Sequence, residues 1–115
     1  MEYDDQNIFA KVLRGEIPAD VVYENDHVMA FRDIQPQAPV HILVIPKGPV
    51  PCLADARDGA AMGELMLAVG EIARQEGFED DGFRVVINNG VRANQTVFHL
   101  HAHILAGRDL TWPPG

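Results

Sequence analysis

Cysteine is nearly absent from this sequence, since Cys52 is the only one among 115 residues. A single cysteine excludes a disulfide within the chain, and it excludes a zinc site built from several thiolates. Such sparse use of cysteine suits a reducing compartment, so we expect a cytoplasmic protein. The acidic start, Met1-Glu2-Tyr3-Asp4-Asp5, is unlike a signal peptide.

Basic residues are also scarce, with 9 Lys and Arg against 17 Asp and Glu and a net charge of −8. This balance argues against DNA, RNA or an anionic membrane as the main partner, because such binding needs clustered Lys and Arg. A membrane-spanning helix requires an apolar run of about 18 residues, and the sequence has no such run. Any phosphate site must therefore be local and built from imidazoles and backbone N–H groups.

Histidine is sparse but unevenly distributed, because three of the 5 histidines lie at alternate positions in residues 98–105. In a β-strand, residues i, i+2 and i+4 line one face. The pattern therefore predicts a row formed by His99, His101 and His103, with the intervening apolar residues directed to the core. Neighbouring rings are expected about 6.6 Å apart along the strand. Two of them are then close enough to share one small anion or one metal ion.

Three interpretations of this histidine row follow from the residues. The rings can be purely structural, each buried and hydrogen-bonded. They can bind zinc, which neutral imidazole ligates well, although alternate positions fan out along a strand and no fourth ligand stands out. Alternatively, one neutral imidazole attacks phosphorus or carbonyl carbon while its neighbours stabilise the charge that develops. The spacing alone does not decide between the metal site and the nucleophile.

Helix signals occur in two places of what length predicts to be a single domain, residues 1–115. Asn7 is expected to cap a short helix over residues 8–13, following a polar and mobile segment 1–6. A long helix is predicted over residues 54–76, with Asp55 or Asp58 as its N-cap and Gly77 at its end.

Strand signals occur five times, as apolar runs bounded by turn residues. The predicted strands cover residues 21–24, 28–32, 41–45, 83–88 and 98–105. The run at 41–45 is almost wholly apolar, so we expect it at the centre of the sheet. Short connections favour an antiparallel sheet with the helices on one side, which is an α+β fold.

Residues 99–105 match the pattern His-φ-His-φ-His-φ-φ, in which φ is apolar. Other segments accompany this pattern: Asp33-Ile34-Gln35-Pro36-Gln37-Ala38-Pro39, Val44-Ile45-Pro46-Lys47, Val85-Val86-Ile87-Asn88-Asn89-Gly90 and the terminal Trp112-Pro113-Pro114-Gly115. With them the chain resembles the histidine triad (HIT) superfamily of nucleotide-binding hydrolases and transferases, from Asn7 to its end. Within that superfamily it is most similar to the histidine triad nucleotide-binding (HINT) branch.

The resemblance implies a HIT-like fold with one short N-terminal helix, one long helix and a five-stranded antiparallel sheet. It implies a homodimer in which this sheet continues into the partner's sheet. The implied reaction is hydrolysis of purine nucleoside 5'-phosphoramidates, such as AMP linked to an amine or to lysine, without a cofactor or metal. A non-catalytic nucleotide-binding or scaffold protein is the first alternative. A dinucleoside polyphosphate hydrolase of another branch is the second.

The resemblance also implies roles for individual residues. His101 is the expected nucleophile and forms a nucleotidyl-histidine that water hydrolyses, with His99 supporting it and His103 and His41 holding the phosphate. Asp33 is expected to bind the ribose hydroxyls. The implied walls of the base pocket are Ile8, Phe9, Ile17, Phe31 and Ile34. The implied contacts to ribose and phosphate are Asn88, Asn94, Gln95 and Thr96, and the implied contact to the partner subunit's site is Trp112.

The loop before the histidines departs from the family pattern at two places. Ala93-Asn94 stands where glycine is usual, and Thr96 stands where serine is common. Asparagine adopts the left-handed conformation more readily than most residues, so we expect the turn to survive. The Thr96 hydroxyl can still relay a proton to a leaving amine. We therefore expect these changes to affect turnover and leaving-group preference more than the type of reaction.

Overall fold

Short runs of β-branched and aromatic residues form the sheet of the protein, which is described for residues 1–115 by a computed structural model. Its strands are β1 (Val21–Glu24), β2 (Val28–Arg32), β3 (Val40–Pro46), β4 (Phe83–Val86) and β5 (Ala102–Ala106). All neighbours are antiparallel, in the order β1-β2-β3-β5-β4. The prediction of a five-stranded antiparallel sheet with residues 41–45 at its centre is thus confirmed.

Two helices accompany the sheet, α1 (Ile8–Leu13) and α2 (Gly59–Glu76), and both have the caps that the sequence predicts. The Asn7 side chain accepts two N–H groups of the first turn of α1, and Asp58 does the same for α2. Gly77 ends α2 with a φ of 80°. Neither helix is both long enough and apolar enough to cross a membrane.

The predicted start of the long helix at residue 54 is wrong. The residues Leu53–Asp55 form a separate 3-10 helix, and Ala56 after it has an extended backbone with a ψ of 132°. Asp55 and Asp58 are equally good caps by residue type, so the sequence does not distinguish them. The chain uses Asp58, and α2 therefore begins at Gly59.

The two helices pack on opposite faces of the sheet, which corrects the expectation that both lie on one side. The central strands β2 and β3 are apolar at nearly every position, so both of their faces need cover. The face under α2 carries Val28, Ala30, Ile42, Val44, Leu100, Ala102 and Ile104. The face under α1 carries Phe31, Leu43, Ile45 and Met29.

The predicted histidine strand over 98–105 is only partly a strand, because β5 begins at Ala102. His103 alone among the three histidines lies in the ladder, opposite Leu43 on one side and Val86 on the other. Leu100 instead donates its N–H to the carbonyl of Val50 at 2.7 Å. The intervening apolar residues are all buried under α2, so the predicted alternation is kept although the ladder is shorter.

Strand β4 is shorter than predicted as well, since it ends at Val86 and leaves Asn88 outside the ladder. At the end of β5, Gly107 turns the chain with a φ of 92°. An added Cβ at Gly107 would lie 2.9 Å from the Cβ of Pro39. Only glycine therefore lets the loop of residues 33–39 approach the end of β5, close to the histidines.

Candidate active site

Histidine rings gather on the face of the sheet that α1 covers. The ring centroids of His101 and His103 are 5.0 Å apart, and those of His41 and His103 are 5.2 Å apart. His41 comes from β3, because this strand pairs with β5 and places His41 and His103 on the same face. His99 precedes them and is fully buried. The sequence pattern predicts the row, and strand pairing adds the fourth ring.

The His101 ring is held in one tautomer by a backbone carbonyl. Its Nδ1 lies 2.8 Å from the carbonyl oxygen of His99, which can only accept a hydrogen bond. Nδ1 therefore carries the proton, and Nε2 keeps its lone pair. Burial lowers the pKa of His101, although the His99 carbonyl and the Asp33 charge oppose this. The neutral ring that dominates near neutral pH thus has a nucleophilic Nε2.

A second chain of hydrogen bonds fixes the tautomers of His41 and His103. The backbone N–H of Gln37 donates to His41 Nδ1 at 3.0 Å, so the proton of the neutral His41 ring is on Nε2. That Nε2 donates to His103 Nδ1 at 2.9 Å. The neutral His103 ring consequently carries its proton on Nε2. A ring N–H donor therefore lies beside the His101 nucleophile.

Both rings of this pair are neutral near neutral pH. Burial, together with the nearby His101 and His41, lowers the pKa of His103 to about 4. Burial also lowers the pKa of His41, against the opposing effect of the Asp33 carboxylate, whose Oδ2 lies 3.4 Å from His41 Nε2. The site thus offers fixed dipoles rather than fixed cations to a bound phosphate.

His99 has both ring nitrogens engaged. Its Nε2 donates to the Pro46 carbonyl at 2.8 Å, so its Nδ1 is an acceptor. The Tyr3 hydroxyl donates to this Nδ1 at 2.6 Å. Burial lowers the pKa of His99. Tyr3 is not among the residues predicted for the site. It lies in the polar N-terminal segment, residues 1–6, where no periodic pattern links it to the histidines. The mobility of this segment stays a prediction.

A pocket of about 460 Å³ opens beside these rings, within the usual size range of small-molecule sites. Every residue implied as a wall of the base pocket lines it, together with Asp33, Thr96, His101 and His103. Phe9 and Phe31 are buried, and their rings meet edge-to-face at 5.5 Å. Ile34 is 95% exposed. The pocket also includes residues that the sequence did not single out: Val12, Pro18, Ala19, Arg32, Gln35, Leu43 and Val97.

Four of the residues implied as ribose and phosphate contacts do not line this pocket: His41, Asn88, Asn94 and Gln95. The Gln95 amide is buried, donates to the carbonyls of Pro51 and Val97, and accepts the N–H of Gly90. It supports the loop, and a direct contact between the Gln95 side chain and a nucleotide stays a prediction. Asn94 has a φ of 68°, which is the left-handed conformation expected for it.

The C-terminal tail lies beside the outer strand β4. Arg84 on β4 donates to the carbonyls of Leu110 and Thr111 at 3.3 and 3.0 Å. Its guanidinium carbon also lies 5.8 Å from the ring centroid of Trp112. Trp112 is 80% exposed and does not line the pocket of its own chain. Its implied contact with a partner subunit's site stays a prediction.

One group of side chains has the donor atoms of a metal site. One oxygen or nitrogen from each of Asp33, His41 and His103 lies within 4.8 Å of the others. These donors suit zinc by type. However, the facing nitrogens of the two rings already share a proton at 2.9 Å. A metal that used both of these nitrogens would have to displace that proton.

Comparison with known proteins identifies the family. The family model for the HIT domain matches residues 14–110. The chain belongs to the HIT family. A solved HIT family hydrolase from Legionella pneumophila superposes with a TM-score of 0.93 at 41% identity, covering 96% of this chain and 100% of that one. The HIT fold expected from the histidine pattern is therefore confirmed.

Two curated relatives of this HIT chain have informative names. The purine nucleoside phosphoramidase of Escherichia coli is 45% identical over 108 residues, covering 92% of this chain and 91% of the relative. The 14 kDa zinc-binding protein of Zea mays is 49% identical over 121 residues, covering 97% and 90%. The first name concerns a reaction and the second a metal.

Proposed function

We propose that this HIT protein hydrolyses purine nucleoside 5'-phosphoramidates through a covalent intermediate on His101. The observation that carries the proposal is the His101 ring, whose Nδ1 is bonded to the His99 carbonyl and whose Nε2 is left free beside the pocket. The similarity to the Escherichia coli phosphoramidase supports the class of substrate. The apolar walls suit a flat base, and the neighbouring histidines suit its phosphate.

In the first step, the Nε2 lone pair of His101 attacks phosphorus and forms a P–N bond. The bond from phosphorus to the amine breaks, its electron pair stays on the amine, and the amine takes a proton. We assign this proton transfer to the hydroxyl of Thr96, which lines the pocket and regains a proton from water. The His103 N–H donates to a phosphoryl oxygen as charge develops there. The His99 carbonyl stabilises the His101 ring, which becomes positively charged.

In the second step, water attacks the same phosphorus. The P–N bond to His101 breaks, and its electron pair returns to Nε2. The water proton passes to solvent, and the products are a nucleoside monophosphate and the restored ring. Because the ring keeps its Nδ1 hydrogen bond throughout, the enzyme returns to the tautomer with which it began.

Asp33 is proposed to bind the ribose. Its Oδ1 accepts the N–H of Gln35 at 2.8 Å, which fixes the carboxylate in the pocket wall. Each carboxylate oxygen has further lone pairs, so both ribose hydroxyls can still donate to it. This arrangement predicts weaker binding of 2'-deoxynucleotides than of ribonucleotides.

We further propose that the protein acts as a homodimer through β4. This strand lies at the edge of the sheet and exposes Phe83 and Val85 to solvent by 37% and 36%. An exposed apolar edge is a template for pairing with another strand. Arg84 places the tail with Trp112 at the same edge. Sedimentation of the purified protein tests this, and a Val85→Lys variant is expected to be monomeric.

The decisive experiment traps the intermediate. The protein is mixed with adenosine 5'-phosphoramidate in the presence of a chelator and quenched within one turnover, and the peptides are mapped by mass spectrometry under conditions that preserve phosphoramidates. We expect an adenylyl group on His101. A His103→Asn variant is the matched control, because it removes a neighbouring ring but leaves the proposed nucleophile in place. Turnover without any adduct would contradict the covalent intermediate on His101.

The alternatives give different results with the same protein. A scaffold protein would bind AMP without releasing amine from any of several phosphoramidates. A dinucleoside polyphosphate hydrolase would cleave diadenosine polyphosphates faster than phosphoramidates. Adenosine and guanosine substrates compared side by side would define the preference for the base.

A further inference from the structure

We propose that Tyr3 is a positioning residue: by fastening the His99 ring, it fixes the carbonyl that orients the His101 nucleophile. The kinetic test of this proposal rests on the proposed function, because it measures phosphoramidase turnover. Its spectroscopic measurement needs no substrate.

Tyr3 contacts the most deeply buried ring of the histidine row. Its hydroxyl donates to His99 Nδ1 at 2.6 Å, and the two rings meet at nearly right angles with their centroids 5.7 Å apart. On the opposite side of the ring, His99 Nε2 donates to the Pro46 carbonyl. The His99 ring is thus fastened at both nitrogens, once by the N-terminal segment and once by the end of β3.

The peptide that carries the His99 carbonyl lies before the ladder of β5, which starts at Ala102. One backbone hydrogen bond holds it, since its own N–H, that of Leu100, donates to the Val50 carbonyl at 2.7 Å. The fastened His99 ring adds a second point of attachment on the other side of this carbonyl. The carbonyl of His99 has to accept His101 Nδ1–H. If the His99 peptide turned, Nδ1 would lose its acceptor and the proton could move to Nε2. The nucleophilic lone pair would then be lost.

The N-terminal segment is itself attached to the protein. The ammonium group of Met1 lies 2.8 Å from Asp55 Oδ2. Two residues beyond Tyr3, the backbone carbonyl of Asp5 accepts a hydrogen bond from Arg14. Tyr3 does not line the nucleotide pocket, whereas His101 does. Its loss should therefore reduce the rate of the chemical step without weakening substrate binding.

The test is Tyr3→Phe, which keeps the ring and removes only the hydroxyl. Tyr23→Phe is the matched control, because the Tyr23 hydroxyl accepts a hydrogen bond from Asn25 and its side chain packs against the core under α2, on the face opposite the pocket. With adenosine 5'-phosphoramidate, we expect Tyr3→Phe to lower kcat about tenfold and to change KM by less than about twofold. The control should match the wild type in both.

Nitrogen-15 NMR of the substrate-free protein provides the second measurement. In Tyr3→Phe, the His99 Nδ1 signal should move towards that of an unbonded ring nitrogen, and the His101 ring should show loss of its single tautomer. Neither signal should move in Tyr23→Phe. A shift of this kind with unchanged melting temperature separates positioning from general loss of structure.

Two results would overturn the proposal: histidine signals that stay unchanged in Tyr3→Phe, or a loss of kcat that Tyr23→Phe reproduces. If the wild type lacks phosphoramidase activity, the proposed function fails. The NMR comparison still decides the role of Tyr3 in that case, because it reads the tautomers of His99 and His101 directly.

Discussion

The two faces of the sheet are made from the same strands but are covered to different extents. Under α2, the apolar core has 14 buried residues. Under α1, the apolar core has six buried residues, and histidine rings and a pocket take up the remaining area. Helix α2 has 18 residues and α1 has 6. At about 1.5 Å per residue, the shorter helix cannot span the sheet, and the uncovered part becomes the site.

The comparison shows how one strand can serve stability and chemistry together. In β5, Ile104 faces α2 and is fully buried, whereas its neighbour His103 faces the pocket. In β3, Ile42 likewise faces α2, and its neighbour His41 lies on the other face, beside Asp33. Substitutions under α2 should therefore change stability and spare turnover. Substitutions among the histidines should do the opposite.

The largest effect is expected for His101→Asn. Asparagine keeps an N–H that can reach the His99 carbonyl, but it has no lone pair comparable to Nε2. We expect kcat/KM to fall about 10⁴-fold or more, because the loss of a nucleophile is among the most costly changes in an enzyme. Calorimetry should show AMP binding within a few-fold of the wild type. Substantial turnover by this variant would exclude His101 as the nucleophile.

Ile72→Ala, on the face under α2, is expected to lower stability and to leave turnover unchanged. Ile72 is fully buried, so its truncation leaves a cavity and should lower the free energy of unfolding by about 2–5 kcal/mol. Leu67→Ala on the same helix is the control, since Leu67 is 71% exposed and should change stability little. Urea unfolding measures both. Well below the melting temperature, kcat should stay at the wild-type value, and a large fall would show that the two faces are coupled.

A smaller effect is expected from pH. The pKa of His103 is about 4 in the folded protein, against about 6.5 for an unperturbed histidine. Between these values the unfolded chain binds more protons, so the free energy of unfolding decreases as the pH falls from about 6.5 to about 4.

Because His103 is only partly buried, we expect its share of this loss to be about 1–2 kcal/mol. Urea unfolding at several pH values measures it, with His103→Asn as the control. The variant should lose less stability than the wild type over the same interval. Equal slopes in the two proteins would mean that His103 titrates normally in the folded state.

Much of the covered face could be predicted from the sequence, because its signals are local. The residues Asn7, Asp58 and Gly77 act within one helical turn, and the apolar run of β3 marks a central strand. The face on which each helix packs could not be predicted, because periodicity does not indicate the side of the sheet that a helix covers. The start of β5 at Ala102 could not be predicted, because side chains alternate between two faces in any extended segment, whether or not its backbone pairs with another strand.

The location of His101 and Asp33 at the pocket could be predicted, because residue type and the family pattern agree there, and their roles stay predictions. Contacts that join distant parts of the chain could not be predicted. The hydrogen bond between Tyr3 and His99 spans 96 positions, and nothing in the local pattern of either residue indicates it. Likewise, the residue type of Gln95 does not distinguish an amide that binds a ligand from one that holds its own loop.

The smallest effect is expected in the loop before the histidines, at Asn94. Its left-handed φ of 68° is unfavourable for most residues and easy for glycine. Asn94→Ala should lower the free energy of unfolding by about 1 kcal/mol, whereas Asn94→Gly should stay within about 0.5 kcal/mol of the wild type. The pair isolates backbone conformation, since both variants lose the same side-chain amide.

Turnover by the same two variants shows how this loop contributes to the less covered face. Because Asn94 does not line the pocket, Asn94→Gly should keep wild-type kcat with phosphoramidates of several amines. If it instead changes the preference among leaving amines while stability is unchanged, the Asn94 side chain contacts the substrate, and the site extends beyond the pocket into this loop.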